Sequence, residues 1–227
     1  MAADSEPASL RRSRGSLSKE LILDAAYGTV KDEGLQGLSM PQLARKLGAS
    51  PMSIYRYFRN KDELLDELTA MALDEQCSHR EAPSADASWD HRIRVEMRAG
   101  RRFILEHPGL GELLLFRDRP HLAPDTMARL ERRVATLVEA GFMPHDAARV
   151  WISARTYTWG FAVWETARSH EHTAEWGRHL AALPAEAFPT LVAAAGALSD
   201  TVGDTQFEFG LDLLLDAAES IRARKAE

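Results

Sequence analysis

Cysteine is almost absent from this chain: Cys77 is the one thiol among 227 residues. That excludes an intrachain disulfide and a zinc site built on several cysteines. Long apolar runs are missing as well. No stretch of about 18 apolar residues occurs, so a membrane span is not expected, and the opening MAADSEPASLRRSRGS lacks the apolar core of a signal peptide. No segment alternates apolar and polar residues as a half-buried strand requires. Nor is there a glycine-rich phosphate loop, a helical HExxH pair, or a nucleophile beside a recognisable base. Catalytic residues, resident metals and cofactors are therefore not expected, and a cytoplasmic protein fits these absences.

What is present suits a globular protein. Apolar residues make up 45% and charged residues 27% of the chain, enough to fill a sizeable core, and the length admits one or two domains. The net charge of −6 hides an asymmetry. Residues 10–61 hold ten Lys/Arg against four Asp/Glu, a net of +6, while residues 62–227 hold 18 against 28, a net of −10. A basic end on an acidic body is the distribution expected where one end meets phosphate.

Glycines and prolines cut the chain into pieces of helical length and periodicity. Residues 17–33, capped near Ser16 or Ser18, carry Leu21, Ile22, Ala25, Ala26, Thr29 and Val30 on one face. Asn60 caps a longer helix with Leu64, Leu65, Leu68, Met71 and Ala72 inward, and Asp62 and Glu63 complement the dipole of its first turn. Further helices are expected over 90–106, around Leu113–Phe116, over 125–140, from Pro144 to about Arg168, over 184–198, and over 205–224. Residues 170–183 read as a looser segment. The fold expected is all-α.

Residues 38–61, LSMPQLARKLGASPMSIYRYFRNK, carry the most information. Ser39 is a good N-cap for a short helix with Leu43, Ala44 and Leu47 as its buried stripe. Gly48 stands where a left-handed C-cap is wanted. Ser50 caps a second helix with Pro51 at its first position, where the missing N–H is harmless. This is a helix-turn-helix layout, which puts the second helix in the major groove of DNA.

The run Ala25-Ala26, Gly34, Leu43-Ala44, Leu47-Gly48, Ser50, Ile54-Tyr55-Arg56-Tyr57-Phe58 and Asn60-Lys61-Asp62-Glu63-Leu64-Leu65 resembles the reading head of the TetR family of transcriptional regulators over about residues 21–68. Ala140-Gly141-Phe142-Met143-Pro144 and the closing FEFGLDLLL at 207–215 look like the C-terminal domain of the family's tetracycline-repressor branch. The resemblance implies a flexible basic arm at 1–17, a DNA-binding domain at 18–73 that includes the linking helix, and a ligand-binding and dimerisation domain at 74–227. It further implies a bacterial, nucleoid-associated repressor, a homodimer on a palindromic double-stranded operator, released when a small effector alters the spacing of its two heads. The helices at 144–168 and 205–224 would then form an intersubunit four-helix bundle.

In such a head Pro51, Met52 and Ser53 face the base edges. Pro41 and Pro51 stand where the tetracycline-repressor branch carries polar residues, and Pro51 and Met52 have no side-chain donors, so they are left with thymine methyls and groove shape. Hydrogen-bonded readout falls to Gln42, Arg45 and Tyr57, although Arg45 also suits a solvated helix face. Tyr55 and Lys61 match the family's phosphate-gripping positions, and Ser39, Ser50 and Ser53 can donate near helix N-termini. Arg11, Arg12 and Arg14 form a basic arm that either enters the minor groove or is a solubilising tail.

All five tryptophans follow the head, three of them on the helix from Pro144. That helix is apolar over much of its circumference, so it can serve a seam on one side and a pocket on another. Phe103, His107, Phe116, Tyr157, Phe161 and Trp164 are the expected pocket lining, for an apolar or aromatic effector. The rival reading is a metal-responsive or enzymatic helical protein using His170, His172 and His179, whose spacings of two and seven define no ligand set.

Overall fold

Ser18 starts the fold by accepting a hydrogen bond from Leu21 N through its Oγ (3.1 Å). The computed structural model describes residues 17–78, 83–84, 86–116, 124–168 and 170–224, without the side chains of Phe116, Asp125, His170, Glu171 and His172. Helix α1 (Lys19–Glu33) buries Ile22, Ala26, Thr29 and Val30. Its stripe is narrower than expected, because Leu21, one step round from Ile22, is 46% exposed. A 3-10 turn at Leu35–Gly37 leads into α2 (Met40–Lys46) and α3 (Pro51–Tyr55). Both begin at serines whose hydroxyls accept from the backbone N–H three residues on, Gln42 and Ser53. Gly48 makes the turn between them at φ 62°, where a side chain would be strained.

Helix α4 (Lys61–Ser78) starts with a reciprocal cap. Asn60 Oδ1 accepts from Glu63 N (2.8 Å), and the Glu63 carboxylate accepts from Arg59 N (2.7 Å). The body follows with α5 (Trp89–Glu106), α6 (Pro108–Phe116), α7 (Pro124–Glu139), α8 (Pro144–Thr166), α9 (His170–Ala181), α10 (Pro189–Ala193), α11 (Ala195–Ser199) and α12 (Asp204–Ala223). The architecture is all-α, and no strand occurs among the described residues. Two expectations change. Residues 170–181 are a regular helix rather than a loose segment, because α9 packs on α11: Leu180 is buried, and a Cβ on Gly177 would lie 2.9 Å from the Ser199 side chain. Residues 184–198 hold two short helices instead of one.

Two apolar clusters hold these helices. The first joins the head to the body: Ile22, Val30, Leu43, Ile54, Phe58, Leu64 and Leu68 pack in one cluster with Phe103, Ile104, Leu110, Leu113 and Trp159. Each fully buried side chain of this size contributes about 1.5–3 kcal/mol relative to exposure. Gly109 allows the closest approach, since a Cβ there would overlap Val30 O and come within 2.8 Å of Gly34 Cα. The second cluster lies between α5, α7, α8 and α12, with Met97, Leu137, Phe142, Trp151, Phe207 and Leu211 at its centre. Arg101 links α5, α8 and α12: it meets Glu165 with two hydrogen bonds of 2.7 Å and Asp204 with one of 2.6 Å, and lies 4.9 Å from the Phe207 ring.

Candidate functional site

One end of the molecule exposes the surface that α2, α3 and the start of α4 build. Gln42, Arg45, Ser50, Pro51, Met52, Tyr55 and Tyr57 are exposed there, and Ser39, Ser53 and Lys61 are half-buried. Met52 stands out with 75% of its surface in solvent. The side chain that positions this face is Ile54, fully buried one residue before Tyr55. Ser39 donates its hydroxyl to Gln42 Oε1 (2.6 Å), which fixes the glutamine at the edge of the turn. Ser50 and Ser53 share a hydrogen bond of 2.8 Å. Tyr57 differs from its expected role in one respect: its hydroxyl donates to Leu17 O, so its proton ties the start of α1 to the turn and leaves only lone pairs for a partner. Arg11, Arg12 and Arg14 lie outside the described residues.

Two cations near this face were not singled out from the sequence. Arg56 is exposed at the end of α3, and Arg59 pairs with Glu63 (3.4 Å). Arg56 was legible in principle, since Ile54 and Phe58 occupy the four-residue inward step and force position 56 outward. Lys46 points away, donating to Thr29 Oγ1 (2.8 Å).

A cavity of about 520 Å³ opens between α4, α5, α6, α7 and α8. Its walls include Gln76, Met97, Leu115, Leu130, Trp151 and Trp159. Expected and observed linings differ. Phe103 is buried against His107 at the head–body joint, with ring centroids 5.2 Å apart. Tyr157 and Phe161 face α12, where the Tyr157 hydroxyl donates to Phe207 O (2.9 Å) and its ring stacks on Phe207. Trp164 is 50% exposed, with the Arg168 guanidinium 3.8 Å from its ring centre. The side chain of Phe116 lies outside the described ones. None of the other five lines the cavity, because Tyr157 and Phe161 face α12, Trp164 faces solvent, and Phe103 and His107 sit at the joint, while the cavity takes Ala148, Trp151, Arg155, Thr158 and Trp159 from the opposite face of α8.

The joint between head and cavity is polar at one point. Glu75 of α4 accepts from Tyr27 Oη (2.6 Å) and Lys31 Nζ (3.0 Å) of α1, and His107 Nε2 lies 3.7 Å away. Burial raises the Tyr27 hydroxyl well above its ordinary 10, with Glu75 adding to the shift. Burial also opposes the charge on Glu75, but the Tyr27 and Lys31 hydrogen bonds and the charges of Lys31 and His107 outweigh it and hold the carboxyl below its ordinary 4.5. On the cavity wall burial likewise opposes the charge on Arg133, yet Glu96 and Cys77 beside it keep the guanidinium above its usual range.

A second, open groove of about 660 Å³ runs between α8 and α12, lined by Met143, Val150, Ala154, Leu214, Ala218 and Ile221 among others. Phe209 and Leu213 on α12 are each 58% exposed. The side chains of His170 and His172 lie outside the described ones. His179 Nδ1 is 2.9 Å from Glu175 O within α9, and no group of three metal-ligating side chains gathers among the described residues. No helix among them is long and apolar enough to cross a membrane.

Comparison with known proteins agrees with this geometry. Residues 22–68 match the family described as bacterial regulatory proteins, tetR family, and residues 82–221 match the tetracyclin repressor-like C-terminal domain. A helix-turn-helix-type transcriptional repressor of Mycobacterium tuberculosis is 33% identical over 221 residues, covering 92% of this chain and 82% of that one. The class A tetracycline repressor of Escherichia coli, from transposon 1721, is 30% identical over 200 residues, covering 88% and 89%. Among solved structures, apo ActR of Streptomyces coelicolor superposes with a TM-score of 0.82 at 29% identity, covering 92% of this chain and 98% of that one. ActR in complex with actinorhodin superposes with a TM-score of 0.78 at the same identity, covering 90% and 98%.

Proposed function

Because the chain belongs to the TetR family of bacterial regulatory proteins, we propose that it is a ligand-responsive transcriptional repressor. It binds a palindromic operator as a homodimer in the bacterial cytoplasm, on nucleoid DNA, and a small effector entering the α4–α8 cavity releases it. Tyr55, Lys61, Ser39, Ser50 and Ser53 grip phosphate, with Arg11, Arg12 and Arg14 as a basic arm. Pro51, Met52, Gln42, Arg45 and Tyr57 meet the bases. The names of its relatives support this reading: the mycobacterial relative is a transcriptional repressor, and ActR was crystallised with actinorhodin.

The single observation that carries it is that cavity and head share two helices. Thr69, Leu73 and Gln76 of α4 and Leu114 and Leu115 of α6 line the cavity. On the same two helices Leu64, Leu65 and Leu68 of α4 and Leu110 and Leu113 of α6 sit in the head's own apolar cluster. A ligand that favours one arrangement of those walls thereby favours one arrangement of the heads, and its differential affinity for the two states sets how far operator binding falls.

Fluorescence anisotropy on a labelled duplex from upstream of the chain's own coding region tests the DNA side. Binding tighter than to a random duplex is expected, with Tyr55→Ala and Lys61→Ala each weakening both duplexes. Lys61→Ala also lowers the slope of log affinity against log salt by about 0.9, the value for one lost phosphate contact. Equal affinity for both duplexes, untouched by either substitution, contradicts the proposal.

A further inference from the structure

The cavity lining holds a hydroxyl that the fold leaves unmet. Thr158 of α8 is fully buried, yet among the described residues its Oγ1 has no hydrogen-bond partner. A helical threonine ordinarily returns its hydroxyl to the carbonyl four residues back. Thr69, on the same lining, does so with Leu65 O (2.7 Å). Burying a hydroxyl without a partner is costly, so an orphan of this kind marks a place for a polar occupant. The buried Oγ1 of Thr126 on α7, also in the lining, is likewise without a partner among the described residues. Gly100 of α5 opens the wall next to Thr158. A Cβ on that glycine would lie 2.8 Å from Gln76 Nε2, 3.7 Å from Trp159 Nε1 and 3.8 Å from Thr158 Cγ2. A hydroxyl-bearing side chain, an amide and an indole N–H therefore meet around a lining position that has no side chain of its own. The hydroxyl and the amide can each donate and accept, and the indole donates.

We infer that the cavity takes an aromatic compound carrying a hydroxyl or keto oxygen, which docks beside Gly100 and accepts from the Thr158 hydroxyl, with the Gln76 amide as its second partner. Met97 and Trp151 of the lining give the ring system apolar and aromatic surface to pack on. This rests on the reading of the cavity as the effector site and narrows it from apolar or aromatic compounds in general to those with an oxygen at that edge. A purely hydrocarbon ligand would leave Thr158 Oγ1 unmet.

Isothermal calorimetry with 1-naphthol and with naphthalene, on the full chain, tests it. The two probes differ by one oxygen, and the naphthol is expected to bind about tenfold more tightly. Thr158→Val keeps the shape and loses the hydroxyl. It is expected to weaken the naphthol about tenfold while naphthalene binding stays unchanged, which also serves as the control for folding. Without ligand this variant is expected to melt no lower than the wild type, because its hydroxyl has no partner to lose. Equal affinities for the two probes, a valine variant that binds the naphthol as the wild type does, or one that melts well below the wild type, overturn the inference and leave the cavity a ligand site. If neither probe binds, the reading of the cavity falls, and the inference with it.

Discussion

Glu75 carries two α1 hydrogen bonds on an α4 carboxylate, so its ionisation bears on whether the head stays docked to the body. Its folded pKa is depressed below 4.5, which makes its contribution fully present above that value and lost as pH falls through the folded one. Melting temperature followed from pH 6 downward is therefore expected to drop below about 4.5, and Glu75→Gln is expected to flatten that drop while lowering stability at neutral pH. A variant whose acid limb matches the wild type contradicts the assignment. At this scale much was readable from the sequence. Ser18, Ser39, Ser50 and Asn60 cap the helices they precede, because capping depends on residues within one turn. Glu75 was not readable, since its partners lie 44 and 48 residues away in the chain.

Helix α8 explains both the success and the failure of the sequence at the scale of elements. Its bounds, Pro144 to Thr166, follow from the proline at its first position and from unbroken helical spacing. Which of its faces meets the cavity does not follow, because aromatic and aliphatic residues surround nearly the whole helix and periodicity then has no phase. The expected lining took Tyr157, Phe161 and Trp164, which face α12 or solvent, and missed Trp151, Thr158 and Trp159. Helix α9 was missed for a related reason: packing on α10 and α11, a tertiary effect, supports a segment of histidines, glutamates and glycine. Helix α6 offers the sharpest test of coupling. Gly109→Ala pushes a methyl into the backbone of Val30 and Gly34, atoms that cannot turn aside. It is expected to destabilise the protein by about 1–3 kcal/mol in chemical denaturation and to weaken operator binding, although position 109 touches no DNA-reading residue. Wild-type stability and affinity in this variant rule out the α1–α6 joint as the link between cavity and head.

For the whole molecule, the basic head and acidic body set an electrostatic direction: the head is drawn to phosphate while the body is repelled, which orients approach. The open groove between α8 and α12, with Phe209 and Leu213 exposed beside it, suits a second copy of the chain packing helix on helix, as the proposed homodimer requires. In the proposed homodimer two heads read two half-sites at a fixed separation, and the continuity of the head's apolar cluster with α6 and Trp159 is what the proposal relies on to keep that separation from drifting.

The central claim is a dimeric DNA reader whose head spacing is set by the body, and varying the distance between half-sites tests it most directly. Anisotropy titrations on duplexes carrying the selected palindrome, with its half-sites moved apart in single base-pair steps, are expected to give maximal affinity when their centres lie about one helical turn apart, roughly 34–36 Å. Affinity is expected to fall steeply when half a turn is inserted. An affinity indifferent to half-site spacing, or equal for a single isolated half-site, contradicts the account.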